Sequence, residues 1–207
     1  MTYEQIYKQR TVWGSTPNEL LLKIIDDLPA GSEFLDLGCG QGRDALYMVR
    51  QGFTVTAVDN SKEAIEQIEE YVEANNVSQK KIRLFCEDIS TFKIQKNVFT
   101  IINAYNSLQF IPKIKSLDVI GRMKRSIQDE GFIIISAFTV KDPLYKKMGN
   151  DLRCFFEQDE LKTMFSDFRI LFYEEGTKED KGHPGSPLPH THDIVKMIAQ
   201  RNSSVKI

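Results

Sequence analysis

The sequence predicts an α/β fold, a mainly parallel sheet with helices on both faces, from three observations. Apolar strand-like runs alternate with segments of helical period along most of the 207 residues. The first such strand, ending at Leu37, passes through Gly38, Gly40 and Gly42 directly into a helical pattern carrying Ala45, Leu46, Met48 and Val49. Acidic residues, Asp36, Asp59 and Asp88, then recur at or beside the ends of three successive strands. In a sheet of this kind those ends meet in one crevice.

In chain order, residues 1–30 read as a helical lid ahead of the core at 31–207, the whole forming one domain. Thr16-Pro17-Asn18-Glu19 has the form of a capping box, with Leu20, Leu21, Ile24, Ile25 and Leu28 as the apolar face that follows. Upstream, Tyr3, Tyr7 and Trp13 place aromatics where they can cover a site. After the glycine turn, the helix ends at Gly52 and Phe53–Val58 alternates as a strand into Asp59. Asn60 and Glu63 are placed to cap a helix with Ala64, Ile65, Ile68, Tyr71 and Val72 on one face. Ile82–Phe85 is the third strand, with Asp88 and Ile89 just beyond it.

Val98–Asn103 is the fourth strand, leading to Ala104 and Tyr105. Pro112 opens a helix whose inner side is assigned to Ile114, Leu117, Ile120, Met123 and Ile127. Phe132–Phe138 is apolar throughout, as a central strand buried on both faces should be, and Asp142-Pro143 after it reads as a loop. A short helix at 158–165, strands at 169–174 and 194–200, and a long loop at 176–190 between those strands complete the pattern.

Composition narrows the chemistry. With 27 basic and 29 acidic residues the formal charge is −2, so no electrostatic footprint for nucleic acid is present and a small-molecule partner is expected. The N-terminal residues lack an apolar signal core and no run approaches a membrane span, which points to a cytoplasmic protein without membrane contact. Cys39, Cys86 and Cys154 have no metal-ligand spacing and give no disulfide framework, so reduced thiols and no metal site are expected. Cys39 is read as a small residue of the turn. A monomer or homodimer is anticipated.

The glycine turn discriminates between cofactors. A dinucleotide site wants G-x-G-x-x-G, but Arg43 occupies the third-glycine slot and the spacing is G-x-G-x-G. Asp36, aimed at the turn, would repel a pyrophosphate and attract an ammonium. The stretch LDLGCGQGR (Leu35–Arg43) resembles motif I of the class I S-adenosylmethionine-dependent methyltransferases. That resemblance implies a Rossmann-like seven-stranded sheet in the order 3-2-1-4-5-7-6, with the last strand antiparallel. It implies S-adenosylmethionine as cofactor and a cofactor site from Trp13, Asp36, Gly38, Cys39, Gly40, Gly42, Asp59, Asn60, Asp88, Ile89, Asn103, Ala104 and Tyr105. Asp59 is suited to accept ribose hydroxyls, Asp88 the adenine amino group, and Ile89 to pack on the ring. Within the superfamily, Trp13-Gly14, Arg43, Glu157-x-x-Glu160-Leu161 and the tail His190-Thr191-His192 to Ala199 are similar to the tellurite-resistance methyltransferases, with features of thiopurine methyltransferase-like enzymes. The resemblance implies methylation of a chalcogen oxyanion or thiol.

Candidates for orienting an anionic acceptor are Arg10, Arg43, Arg153, His183, His190 and His192; of these His190, His192 and Arg43, with Tyr105, are assigned to catalysis. A strand's period of two aims His190 and His192 at the same face. A displacement at a sulfonium methyl needs no obligatory base, so a non-catalytic S-adenosylmethionine sensor is the alternative. A nicotinamide-dependent dehydrogenase is disfavoured by Arg43 and Asp36.

Overall fold

A computed structural model describes residues 3–8, 14–183 and 186–203. Trp13 and Arg10 lie outside the described residues. The sheet is built from β1 (Glu33–Leu37), β2 (Thr54–Asp59), β3 (Ile82–Cys86), β4 (Phe99–Tyr105), β5 (Ile127–Thr139), β6 (Phe155–Phe156), β7 (Phe168–Asp180) and β8 (His190–Arg201). Its order is β3-β2-β1-β4-β5-β8-β7, with the two-residue β6 paired to the end of β5. All pairings from β3 to β5 are parallel, and β8 runs antiparallel to both β5 and β7. Leaving β6 aside, this is the expected seven-stranded arrangement.

Alternation along each strand divides the core between the two faces. Leu35, Ile102, Ile133 and Ile135 join Val195 and Met197 beneath α4 (Lys113–Ser126) and α6 (Glu160–Met164), around Ile120, Met123, Leu161 and Phe165. Their neighbours Phe34, Ile101, Ile134 and Ile198 face the other way, toward α2 (Arg43–Arg50) and α3 (Lys62–Ala74), around Met48 and Ile68. The central strands are therefore apolar at every step because both sides are covered. No helix among the described residues is long and apolar enough to cross a membrane.

Four expectations need correction. The capping box at Thr16 starts no α-helix: two 3₁₀ turns, Leu21–Lys23 and Ile25–Asp27, follow it. Asn18 Oδ1 accepts from Leu20 and Leu21 N–H at 3.0 Å each, while its own N–H and Nδ2 are committed to Asp44, so tertiary bonds replace the helical pattern. Ser61, rather than Asn60, caps α3, its Oγ accepting from Ala64 N–H at 3.2 Å. The buried face of α4 is Ser116, Val119, Ile120 and Met123; Ile114 is 75% exposed. Ser116 escaped notice because it is polar, yet its hydroxyl is satisfied by donating to Leu108 O at 3.0 Å. The 176–190 loop shortens to 181–189, since β7 and β8 stay paired from Thr177↔Asp193 to Asp180↔His190 through polar side chains that carry no apolar alternation.

Two further helices frame the site. The five-residue α1 (Tyr3–Tyr7) packs Ile6 and Tyr7 against Ala64 of α3, and Gln67 Nε2 donates to Tyr7 O at 2.8 Å. After β5, α5 (Tyr145–Leu152) occupies a stretch with no expected helix, and Gly149 at φ +60° breaks its regularity.

The reassigned face of α4 is testable by chemical denaturation. Ile120→Ala should cost about 2–5 kcal/mol, as for a fully buried aliphatic, whereas Ile114→Ala should stay within about 0.5 kcal/mol.

Candidate active site

The carboxyl ends of β1, β2 and β4 open into a cavity of about 750 Å³, within the range of small-molecule sites. Its floor is the turn from Gly38 to Gly42. Gly38 lies at φ +76° with a Cβ position only 2.4 Å from Ser107 Cβ, and Gly40 at φ +52° lies with its Cβ position 2.9 Å from Tyr7 Oη. Both positions exclude a side chain, so the backbone itself forms the surface there. Gly38 and Cys39 N–H donate to Val58 O at 2.8 and 3.0 Å, and Gly40 N–H donates to Asp59 Oδ2 at 2.8 Å.

Beneath the turn sits a buried polar cluster. Asp44, at the start of α2, accepts from Asn18 N–H (2.9 Å), Asn18 Nδ2 (2.8 Å), Asn103 Nδ2 (3.3 Å) and both Arg43 Nε and an Arg43 terminal nitrogen (3.1 Å each). Asp36 is equally buried but accepts only from Asn103 Nδ2, at 2.9 Å to Oδ1, and its Oδ2 has no partner. Burial, together with the charge of Asp44, pushes the Asp36 carboxyl up to about 8. Ser107 Oγ and Gln109 Oε1, also on cavity-lining residues, are likewise buried without partners. Buried polar atoms normally have partners, so such a group of orphans around one cavity is suited to a polar ligand.

Asp36, Gly38, Cys39, Gly40, Asp59, Asn60, Asp88, Ile89 and Tyr105 all line this cavity. Three expected residues do not. Gly42 lies under the turn as the cap of α2, at φ +79°. Asn103 stands behind the wall, bracing Asp36 and Asp44, and Ala104 is in the core beneath α4. The reason is the alternation of β4: Asn103 and Tyr105 share one face of the strand, and only Tyr105 reaches past the turn.

Asp59 also accepts from Ser61 N–H at 2.9 Å; burial raises its carboxyl while hydrogen bonds from Ser61, Gly40 and Asn60 N–H oppose that rise. Asp88 Oδ1 accepts from Ser90 N–H at 2.7 Å. Burial, with nearby Asp59 and Asp36, pushes the Cys39 thiol well up, away from a nucleophilic thiolate. Tyr105 Oη donates to Glu19 Oε2 at 2.9 Å; burial and Glu19 raise its phenol, leaving it a donor rather than a base. Arg43, 5.4 Å from the Tyr105 ring centroid, is engaged by Asp44.

The opposite end of the cavity carries the histidines. His183, His192 and Asp180 line it, and His190 lies against His192 with ring centroids 4.7 Å apart. His192 stacks on Phe138 at 4.5 Å, and its Nδ1 is 2.8 Å from Oδ2 of the buried Asp142. Arg153 stacks 4.9 Å from the Phe110 ring centroid, beside the same end. Tyr3, Glu4 and Tyr7 of α1 roof the cavity, and Ser61 Oγ donates to Glu4. Asp44, Asp142 and Asp180 were not signalled by the sequence: each is polar, and its partners are distant in the chain or on the facing strand. The Asx patterns at Asp142, whose Oδ1 accepts from Leu144 N–H at 2.8 Å, and at Asp180, whose Oδ1 accepts from Gly182 N–H at 2.7 Å, are the local clues.

The chain is similar to known proteins. The family profile described as "Tellurite resistance protein TehB" matches residues 8–183. "Carboxy-S-adenosyl-L-methionine synthase" of Psychromonas ingrahamii is 31% identical over 134 residues, 62% of this chain and 54% of that protein. "Probable S-adenosyl-L-methionine-dependent methyltransferase TehB" of Haemophilus influenzae is 30% identical over 145 residues, 70% of this chain and 49% of that protein. The chain thus spans about half the length of the curated relatives it matches. The crystal structure of TehB from Haemophilus influenzae superposes with a TM-score of 0.78 at 23% identity, over 97% of this chain and 68% of that one.

Asp36 should make the ligand-free protein sensitive to alkali. Its carboxyl ionises near 3.9 in an unfolded chain and up to about 8 when folded, so the stability it contributes is complete in acid and lost as pH rises through about 8. Asp36→Asn removes that loss. In thermal melts above this range the variant should exceed the parent by at least about 2–4 °C, the shift of one kcal/mol in a chain of this size; equal melting at every pH would contradict the assignment.

Proposed function

Because the chain belongs to the tellurite resistance protein TehB family, we propose that it is an S-adenosylmethionine-dependent methyltransferase acting on a small, soft nucleophile, a chalcogen oxyanion or a thiol. The observation that carries this reading is the unpartnered, buried Asp36 Oδ2 beside the glycine turn, a carboxylate oxygen waiting for a cation. The bound cofactor would supply a methyl group on a sulfonium, an electrophile ready for in-line displacement.

The residues divide the work. Asp36 takes the ammonium of the methionine moiety, and its ionisation is then favoured because the buried charge is paired. The Gly38–Gly40 backbone lets the ligand approach closely. Asp59, already held by backbone N–H donors, presents its remaining lone pairs to ribose hydroxyls, and Asp88 with Ile89 frames the adenine. At the far end, Arg153 provides a positive, forked donor for an oxyanion beside the rings of His192 and His190. Tyr105, held protonated by Glu19, donates rather than abstracts. Positioning of this kind can supply about 7–11 kcal/mol of barrier lowering without a base.

The decisive experiment measures S-adenosylhomocysteine formation against tellurite, selenite, small thiols, a thiopurine and a catechol. Turnover on a chalcogen oxyanion or thiol is expected; tight cofactor binding with no turnover on these would overturn the acceptor class and favour a sensor. Calorimetry tests the cofactor end. Affinity should rise by up to about tenfold per pH unit below about 8 and level off above it, with a proton released on binding in the rising range, and Asp36→Asn should abolish both effects. Asp59→Ala, which removes the ribose acceptor and frees Gly40 N–H, should weaken cofactor binding by at least about tenfold.

A further inference from the structure

The chain contains three histidines, and all three, His183, His190 and His192, converge with Asp180 at one end of the cavity. One ligand atom from each of these four residues lies within 4.8 Å of the others. Three separate pieces of chain deliver them: Asp180 ends β7, His183 lies in the hairpin loop bridged to Ser186, and His190 and His192 begin β8.

The surroundings fix how two of the rings present themselves. His190 Nδ1 is 2.8 Å from Leu188 O, a carbonyl that can only accept, so Nδ1 carries the proton. His192 Nδ1 is 2.8 Å from Asp142 Oδ2, which also accepts from Asp193 N–H at 3.1 Å, and the same tautomer follows. Both Nε2 lone pairs then point inward, 3.0 Å apart. Two lone pairs facing at that distance repel unless a shared proton or a metal ion lies between them. A tetrahedral zinc ion with Zn–N bonds of about 2.0–2.1 Å separates its nitrogens by about 3.3 Å, close to what is found. A ligating histidine whose second nitrogen donates to a buried carboxylate or a carbonyl is also how metal-bound imidazoles are oriented. Phe138, stacked on His192, holds that ring in place.

We propose that Asp180, His183, His190 and His192 form a binding site for a divalent transition-metal ion of the zinc class. Three imidazoles and one carboxylate suit zinc and its neighbours; calcium and magnesium prefer oxygen ligands throughout. The expectation of no metal rested on cysteine spacing, which is silent about ligands gathered from a hairpin and its loop. Such an ion would clasp the 181–189 loop to the start of β8 and shape the wall at the acceptor end. The site does not depend on the methyl-transfer reading, because its ligands are separate from the glycine turn and Asp36.

The test uses the full chain without a polyhistidine tag, stripped with chelator, then given zinc or cobalt alone. One equivalent should remain after gel filtration, cobalt should give the intense visible bands of a tetrahedral site, and zinc should shift the Nε2 resonances of all three histidines together. His183→Gln and His190→Gln should each weaken zinc binding at least tenfold, and Asp142→Asn, a positioning change, by about 10–100-fold. Circular dichroism and S-adenosylmethionine binding serve as checks that each variant folds. If the parent retains no metal, or if histidine resonances shift for none or only one of the three, the proposal fails whatever the variants do. Zinc affinity unchanged in both folded glutamine variants would overturn it equally. Cofactor binding, measured separately, reports on the methyltransferase reading alone.

Discussion

Two buried carboxylates, Asp36 and Asp44, lie beneath the glycine turn, and the arrangement of the site follows from how differently they are satisfied. Asp44 gathers donors from Asn18, Arg43 and Asn103, and so ties the N-terminal segment and β4 to the first turn of α2. Asp36 shares Asn103 with it and is otherwise left with an orphan oxygen. A buried charge without a partner is costly, so the ligand-free protein holds Asp36 protonated and a cationic ligand relieves the deficit. The fold thus carries a local destabilisation at the place where binding energy is to be gained.

The cavity as a whole is polarised in the same sense. Glu4, Asp36, Asp59 and Asp88 outnumber Arg43 and Lys62 at the end nearest the turn, while His183, His192 and the nearby Arg153, with Asp180 among them, occupy the other. On the proposed reading, a cationic cofactor meets carboxylates and an anionic acceptor meets the guanidinium of Arg153. Methyl transfer converts the sulfonium to a neutral thioether, which removes one of the ligand's positive charges, the ammonium at Asp36 remaining. The product therefore interacts less favourably with that end than the substrate did, and this difference favours release.

Legibility in the sequence followed the range of the interactions. The glycine turn, Asp59, Asp88 and the His-x-His at the start of β8 were readable because strand period and turn geometry act over a few residues. Asn18 and Asp44 were not, since beyond near neighbours in the chain each is satisfied by partners 26 or more positions away. The same cause turned the expected first helix into 3₁₀ turns: once Asn18 is claimed by Asp44, its side chain serves a tight turn. On α4, the inner face was misassigned because Ser116 is satisfied by Leu108 O, a contact that periodicity cannot anticipate. Arg43 was assigned to catalysis from its place beside the turn, yet its guanidinium is engaged with Asp44.

The two ends of the cavity are built by different means, and this has consequences for how specificity can change. The cofactor end joins the backbone of the Gly38–Gly42 turn to carboxylates at or just past the ends of β1, β2 and β3, and a change at Asp59 disturbs the turn itself. The other end depends on side chains organised by the join between β5 and β8. Thr139 Oγ1 donates to Asp193, Thr177 Oγ1 donates to Asp193 at 3.1 Å, and Asp142 receives both Asp193 N–H and His192. His192 is therefore aimed by a buried polar network anchored in two strands. The 181–189 loop contributes His183 but does not set that orientation. Changes in the loop can alter what enters the acceptor end while the network keeps His192 in register, and the cofactor end is untouched. Surface loops on a rigid scaffold are where such variation is tolerated.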